Sequence, residues 1–383
     1  MSSRPRRAAR RALTAIVPAA SLLALAACGA DTTPAADSTQ AGAPDAPGSP
    51  GLTAARAALK KYSERPATIS VTQPVGKAIP KGKKIDFILC GVQSCKDLAG
   101  FFTEAAEELG WQVKQIATQG TPESVQAAYE QALRDKPDAV VASGFPRAVY
   151  AKQLAQLKAA DIPVIQSNAD DVLGDGISLL KNGPDDVGIQ GQMLASWVVS
   201  NSGAKANTVY FDLPAYTILK PVKDSFATKY KEWCAGCSLD NVDVPITSVG
   251  KDMPDRVVSY LRSHPKVTHV VFSLGLLNVG VPAALKTAGI TGKHIVVNVG
   301  DAQNYQYIQG GLTDGAMALN SHETAWLQAD ALARHFTGRP MDVDQKAALP
   351  NMLVTKDNLP SADGDFPIVE DYQKQFKALW GLS

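Results

Sequence analysis

Three groups of residues have the types and spacing to carry chemistry. The first is Trp233-Cys234-Ala235-Gly236-Cys237, which has the outline of the W-C-x-x-C thiol-redox motif. That chemistry needs its leading cysteine at a helix N-terminus, where the backbone dipole lowers the thiol pKa. Here a helical pattern, Ile218 to Trp233, precedes the motif, and a strand pattern, Asn241 to Val244, follows it. The polarity is reversed, so redox catalysis is not expected. The second group adds Cys90 and Cys95 to Cys234 and Cys237, a four-cysteine set of zinc-ligating type. The wide gap between the pairs argues against a metal. The third is Asp342-Val343-Asp344, too sparse for a calcium loop. The histidines, His264, His269, His294, His322 and His335, pair with no serine or cysteine nucleophile. The sequence contains no G-x-S-x-G elbow, P-loop or H-E-x-x-H. It reads as a binding protein rather than an enzyme, with no metal and no cofactor.

The N-terminus explains the cysteine usage. Arg4, Arg6, Arg7, Arg10 and Arg11 precede an apolar run from Ala12 to Ala27, the pattern of an export signal. Leu25-Ala26-Ala27-Cys28 resembles the bacterial lipobox, in which the cysteine is acylated and becomes the first residue. Residues 1–27 are therefore expected to be a signal peptide. Residues 28–55 are expected to be a lipidated Cys28 followed by a disordered linker rich in Ala, Pro, Gly, Ser and Thr. One acyl chain binds a membrane only marginally, so the two or three chains of a lipoprotein would be needed to anchor it. Four cysteines then remain in an exported chain, and an even number there favours disulfides. Three connectivities are open. The local one, Cys90–Cys95 with Cys234–Cys237, is expected, and closing such short loops contributes roughly 2 kcal/mol each in the chain-entropy model.

The rest of the chain supplies the elements. Its 383 residues are 45% hydrophobic and 20% charged, enough to bury sizeable cores in two domains. Lys+Arg number 38 against 37 Asp+Glu, so no basic excess points to nucleic acid. Leu52 to Tyr62 reads as a short helix, and Ser63 to Lys84, with Pro66, Pro74 and Pro80, as an extended segment. From there apolar runs alternate with helical spacing. Ile85 to Leu89 is a strand; Leu98, Phe102, Ala105 and Leu109 mark a helix face ended by Gly110. Gln112 to Ile116, Ala139 to Ala142 and Ile162 to Ile165 are strands, with helices from Pro122 to Arg134 and on the Tyr150, Leu154 and Leu157 face. The rhythm restarts with a helix from Val187 to Val199. Strands follow at Thr208 to Phe211, Val242 to Val244, Val270 to Phe272 and Ile295 to Val299, with helices at Ile218 to Trp233, Pro254 to Arg262 and Pro282 to Ala288. Continuous apolar strands between helices imply parallel sheets covered on both faces. The expected fold is α/β, with two doubly wound, Rossmann-like lobes.

The phrases KKIDFILCGVQSC, KPDAVVASG, AADIPVIQSNAD, VVFSLGLLNVGVPAALKTAG and IQGGLTDGAMALNSHETAWLQADALA resemble the type I periplasmic binding proteins, specifically the sugar-binding cluster related to ribose-binding protein. The likeness spans about Lys84 to Leu353. It implies a hinge of three segments, near Gly183, Asn320 and Pro350, and a ligand cleft between the lobes. The implied lobes are residues 84–182 with 321–349, and 183–320 with 350–383. It implies an extracytoplasmic receptor, anchored through Cys28 to membrane lipid at the outer face of a bacterial cytoplasmic membrane. As a monomer it would deliver a small polar ligand, a sugar or similar compound, to an ABC permease and its ATPase. The alternatives are an aromatic or acidic metabolite as ligand, or a sensor role for a membrane signalling partner.

Carried onto this sequence, the family pattern places Gln93, Phe145 and Asn168 on the first wall of the cleft. Tyr216, Lys220, Asn278 and Asp301 fall on the second, and Asn320 at the second crossing. Asp301 is the leading ligand contact, its alternative being a helix cap. Two departures stand out. Asn168-Ala169 replaces the Asp-Arg pair with which many sugar binders grip hydroxyls, and Leu274-Gly275-Leu276-Leu277 replaces a polar loop.

Overall fold

The computed structural model describes residues 48–382; the expected signal peptide and Cys28 lie outside the described residues. The first element, α1 (Pro50–Ser63), starts inside the stretch expected to be linker. Ser49 caps it by accepting from the Leu52 amide, Pro50 fills the first turn, and Leu52 and Ala55 are buried.

The first lobe begins with β1 (Lys84–Ile88), α2 (Gln93–Glu108), β2 (Gln112–Ile116), α3 (Pro122–Asp135), β3 (Ala139–Ser143), α4 (Ala151–Ala159), β4 (Val164–Ser167) and β5 (Ile177–Lys181). The strands are all parallel, in the order β2-β1-β3-β4-β5. The second lobe follows with α5 (Pro184–Ser202), β6 (Asn207–Asp212), α6 (Leu219–Trp233), β7 (Ser238–Asp243), α7 (Met253–Ser263), β8 (His269–Phe272), α8 (Val281–Thr287), β9 (His294–Val297), α9 (Ala302–Gln309) and β10 (Gly315–Ala318). The chain then returns to the first lobe for α10 (Ser321–Phe336) and α11 (Asp342–Lys346). It adds the antiparallel β11 (Met352–Thr355) to the second sheet and ends in α12 (Tyr372–Trp380). The second sheet has the order β11-β10-β9-β8-β6-β7. Two α/β lobes with mainly parallel sheets confirm the fold class.

Each sheet is sandwiched between apolar helix faces. Ala139, Val141, Phe87 and Ile165 bury one face of the first sheet under α2 and α10, while Val140, Ala142 and Val164 pack on the other against Tyr129 and Leu154. In the second lobe α5 crosses α6 so closely that a Cβ on Gly191 would run into the Val222 carbonyl and the Phe226 amide, so only glycine fits there. Strand β7 lies at an edge with mostly exposed residues, and it starts earlier than the apolar Val242 to Val244 segment suggests.

The C-terminal residues correct the expected lobe boundary. Ala362, Phe366 and Ile368 pack in the second lobe, but Val369, Tyr372, Phe376 and Trp380 join the core of the first. Trp380 stacks on Trp326 of α10 with ring centroids 5.2 Å apart and donates to Asp330 Oδ1 at 2.7 Å. At the other end α1 packs on the second lobe, whereas Ile69, Val71 and Val75 belong to the first. The chain therefore makes two passages between the lobes beyond the three expected ones, one at each terminus.

Both disulfides are local, Cys90–Cys95 and Cys234–Cys237, with Cα separations of 5.8 and 5.4 Å. Cys234 follows the last turn of α6, at the end of the helix dipole that disfavours a thiolate.

One buried acid in the first sheet makes stability depend on pH. Asp86 of β1 is 3% exposed and its Oδ2 has no partner. Burial, reinforced by nearby Asp135 and opposed by Lys114, raises its pKa to about 6. The native state thus holds this proton more tightly than the unfolded chain. Its contribution is greatest below the unfolded pKa and is lost as pH rises through about 6. Asp86→Asn is expected to be more stable than the parent at about pH 8, with the difference vanishing toward about pH 4. Urea midpoints at both pH values check this; a parent that gains on the variant as pH rises contradicts it.

Candidate functional site

The connections between lobes locate the site. The first passage leaves the carboxyl end of β5 and enters the N-terminus of α5 in the other lobe. The second leaves β10 and enters the N-terminus of α10. Both therefore join the carboxyl edges of the two sheets, and the loops that follow the parallel strands converge there. That edge is where open α/β sheets present loops and helix N-termini to ligands.

The passages are laced together by buried polar groups that sequence reading missed. Lys181, the last residue of β5, is 1% exposed. Its ammonium donates to the Gln345 carbonyl at 3.1 Å and the Ala347 carbonyl at 2.7 Å, and lies 3.7 Å from Asp186 of α5. It thereby joins the first passage to the third. Burial lowers its pKa, and Asp186 and Asp344 oppose that shift. The Gln345 amide pairs with both backbone groups of Leu180, at 2.9 Å each, as a neighbouring strand would.

The terminal passages are tied in the same way. Arg65 donates to the carbonyls of Ile368 and Pro367 and pairs with Glu370, all at 3.0 Å. Asn358 donates to the Ser63 carbonyl at 2.9 Å. Glu323 of α10, fully buried, accepts from the backbone amide and hydroxyl of Ser70. His322 stacks on Phe101 at 3.8 Å, and its Nδ1 lies 3.8 Å from Asp365 Oδ2. Burial lowers the His322 pKa to about 4, and burial raises that of Asp365 to about 6 with help from Asp97. Nothing in the spacing of Arg65, Lys181 or Glu323 marks them in advance, because each is tied to a segment far away in sequence.

The structure sorts the expected ligand residues. Phe145 and Asn168 come together at the ends of β3 and β4. Gln166 Nε2 donates to the Phe145 carbonyl at 2.6 Å, and Asn168 Nδ2 donates to Ser143 Oγ at 3.0 Å. Asn168 has φ +53°, a conformation asparagine tolerates. Both remain part-exposed at the carboxyl edge. Gln93 opens α2, exposed, and donates to Asp97 at 2.8 Å. Tyr216 is half-buried against the second core in the loop before α6.

Three of the expected contacts have partners within the protein. Lys220 is exposed and pairs with Asp224 one turn along its own helix. Asn278 is fully buried, its Nδ2 donating to Asn304 Oδ1 and Thr313 Oγ1, both at 2.9 Å, so it braces the loop from within. Asn320 is 2% exposed and caps α10, accepting from the Glu323 amide at 2.9 Å and donating to its carboxylate at 2.8 Å. Asp301 serves as a helix cap. Its Oδ1 caps α9 by accepting from the Asn304 amide at 3.0 Å and the Asn304 side chain at 2.7 Å, and the residue stays exposed.

Among the described residues no group of His, Cys, Asp and Glu is arranged to hold a metal, and no helix is long and apolar enough to cross a membrane. The family model for the periplasmic binding protein domain matches residues 95–340. No curated protein matches the sequence. Solved structures share the fold. An ABC transporter solute-binding protein from Agrobacterium vitis with bound allitol is 19% identical, with TM-score 0.62 over 73% of this chain and 97% of that one. A 5-methylthioribose transporter solute-binding protein from Thermotoga lettingae is 15% identical, with TM-score 0.65 over 81% and 100%. A glucose-galactose binding protein from Geobacillus stearothermophilus is 16% identical, with TM-score 0.62 over 74% and 100%.

The hinge geometry makes a direct prediction. Lys181→Met removes the donor shared by the Gln345 and Ala347 carbonyls and strands them in the interior. The expected cost is about 1–3 kcal/mol of stability, read from denaturant midpoints. An unchanged midpoint would show that the lysine does not hold the passages together.

Proposed function

This chain belongs to the periplasmic binding protein domain family, whose members bind solutes rather than catalyse reactions, and from that membership we propose that it captures a sugar or sugar-like solute between its lobes and delivers it to an ABC importer. The observation that carries this reading is the convergence of two parallel-sheet carboxyl edges at a multi-stranded hinge. A ligand gripped by loops of both lobes favours the state in which the lobes are close, and its differential affinity for that state drives closure. The solved structures of the same fold with bound polyols and sugars support this ligand class.

The protein works outside the cytoplasm as a monomer tethered through Cys28. Acyl chains on that cysteine anchor the chain. The tether leads into α1, whose Leu52 and Ala55 pack with Trp197 of α5 and Trp233 of α6, so the anchor holds the second lobe. The first lobe then moves relative to it.

Two experiments test the reading. In a thermal-shift screen of sugars and polyols, a true ligand at about 100 times its dissociation constant is expected to stabilise the protein by about 2.7 kcal/mol. A panel that leaves the melting temperature untouched contradicts the ligand class. Mass spectrometry of membrane-extracted protein is expected to show acylated Cys28, and Cys28→Ser is expected to move the protein to the soluble fraction; a soluble, unacylated parent overturns the anchor.

A further inference from the structure

We infer that the Cys90–Cys95 disulfide is a positioning element of the cleft, holding residues 91–94 in the conformation that meets the ligand. This inference deepens the solute-binding reading and rests on it. The segment joins the end of β1 to the first turn of α2, at the carboxyl edge of the first sheet. Gly91, Val92, Gln93 and Ser94 are all exposed.

Hydrogen bonds do little to fix this turn. Among the described residues, no backbone amide from Cys90 to Ser94 donates one. Val92, at the N-cap position of α2, offers no side-chain acceptor, whereas α3, after the neighbouring strand, opens on a reciprocal Thr121–Ser124 capping box. The covalent bond takes the place of a cap. Its first cysteine is held by its neighbours. The Thr118 hydroxyl donates to the Leu89 carbonyl at 2.7 Å. Gly91, at φ +91°, runs so close to the loop after β2 that a Cβ there would stand 2.7 Å from the Gly120 amide nitrogen. A Cβ on Gly144, in the loop after β3, would stand 3.0 Å from Cys90 Cβ. Cys90 is thus wedged between two loops of the same edge, and the disulfide carries that fixed position to Cys95, which is buried in α2.

The second disulfide provides the contrast. The two bridges span sequence separations of 5 and 3, so their chain-entropy contributions are similar. Cys237, however, immediately precedes β7, at the amino edge of the second sheet, and Cys234 packs among residues of α1, α5 and α6. That bridge is remote from the convergent loops. A wall segment ordered before the ligand arrives loses less conformational freedom on binding, and affinity rises by that difference. Only the first bridge stands where this applies.

Isothermal titration and hydrogen exchange of the full chain in detergent test the inference. The probes are D-ribose, D-glucose, D-galactose and allitol. In Cys234→Ser/Cys237→Ser, tris(2-carboxyethyl)phosphine opens the Cys90–Cys95 bridge in protein that has already folded. Reduction is expected to weaken the tightest probe by about tenfold or more. It is also expected to speed exchange of the Asp97 and Leu98 amides of α2 by about tenfold. Cys90→Ser/Cys95→Ser is expected to show the same two changes. Cys234→Ser/Cys237→Ser, left oxidised, is expected to bind within about twofold of the parent. Equal weakening from loss of either bridge would reveal a general loss of stability and overturn the inference, as would unchanged affinity after reduction. If no probe binds the oxidised parent, the sugar reading fails and exchange decides alone: faster Asp97 and Leu98 amides support the positioning role, and unchanged ones overturn it.

Discussion

A parallel strand always delivers the chain to the same edge of its sheet, and that constraint places everything else in this molecule. Because β5 and β10 both end at carboxyl edges, the passages that leave them must start there. Two sheets joined in this way turn their loop-bearing edges toward one another. The antiparallel β11 is the exception, and it lies at the outer edge of the second sheet, where it disturbs no loop of the cleft. The site is thus a consequence of strand direction, and its chemistry is whatever the loops contribute.

One network of buried polar groups lies in the hinge. Lys181, Gln345, Glu323, Ser70 and Arg65 satisfy one another or nearby backbone carbonyls across passages that are distant in sequence. A buried donor or acceptor costs most when left unpaired, so such networks hold well-defined geometries. The two terminal passages strengthen this effect. They add an N-terminal and a C-terminal segment to the three internal connections, held side by side by Arg65 and Asn358. A hinge built this way restricts lobe motion to rotations that keep those bonds intact.

Much of the fold was legible in the sequence because its signals are local. Ile85 to Leu89 and Ala139 to Ala142 are apolar runs that bury both faces, and Pro122 after Thr121 opens a capped helix. The short loops Cys90–Cys95 and Cys234–Cys237 point to their own pairing. Strand β7 was blurred because an edge strand has little to bury, so its residues carry no apolar pattern. The destination of α12 was not legible at all. Tyr372, Phe376 and Trp380 mark an apolar helix face, but only Trp326 and Asp330, some fifty residues earlier, decide which lobe it joins. The site was less readable still, because an amide in a loop has the same sequence signature whether it meets a ligand or braces the backbone. Asn278 and Asn320 brace it, and only their buried partners Asn304 and Glu323 reveal this.

The central claim is that two lobes close on a solute about a laced hinge. Small-angle X-ray scattering of the chain, alone and saturated with whichever sugar stabilises it, tests that claim most directly. The account predicts a smaller radius of gyration with ligand. A radius that stays the same, with ligand demonstrably bound, would mean that the lobes do not move to enclose it.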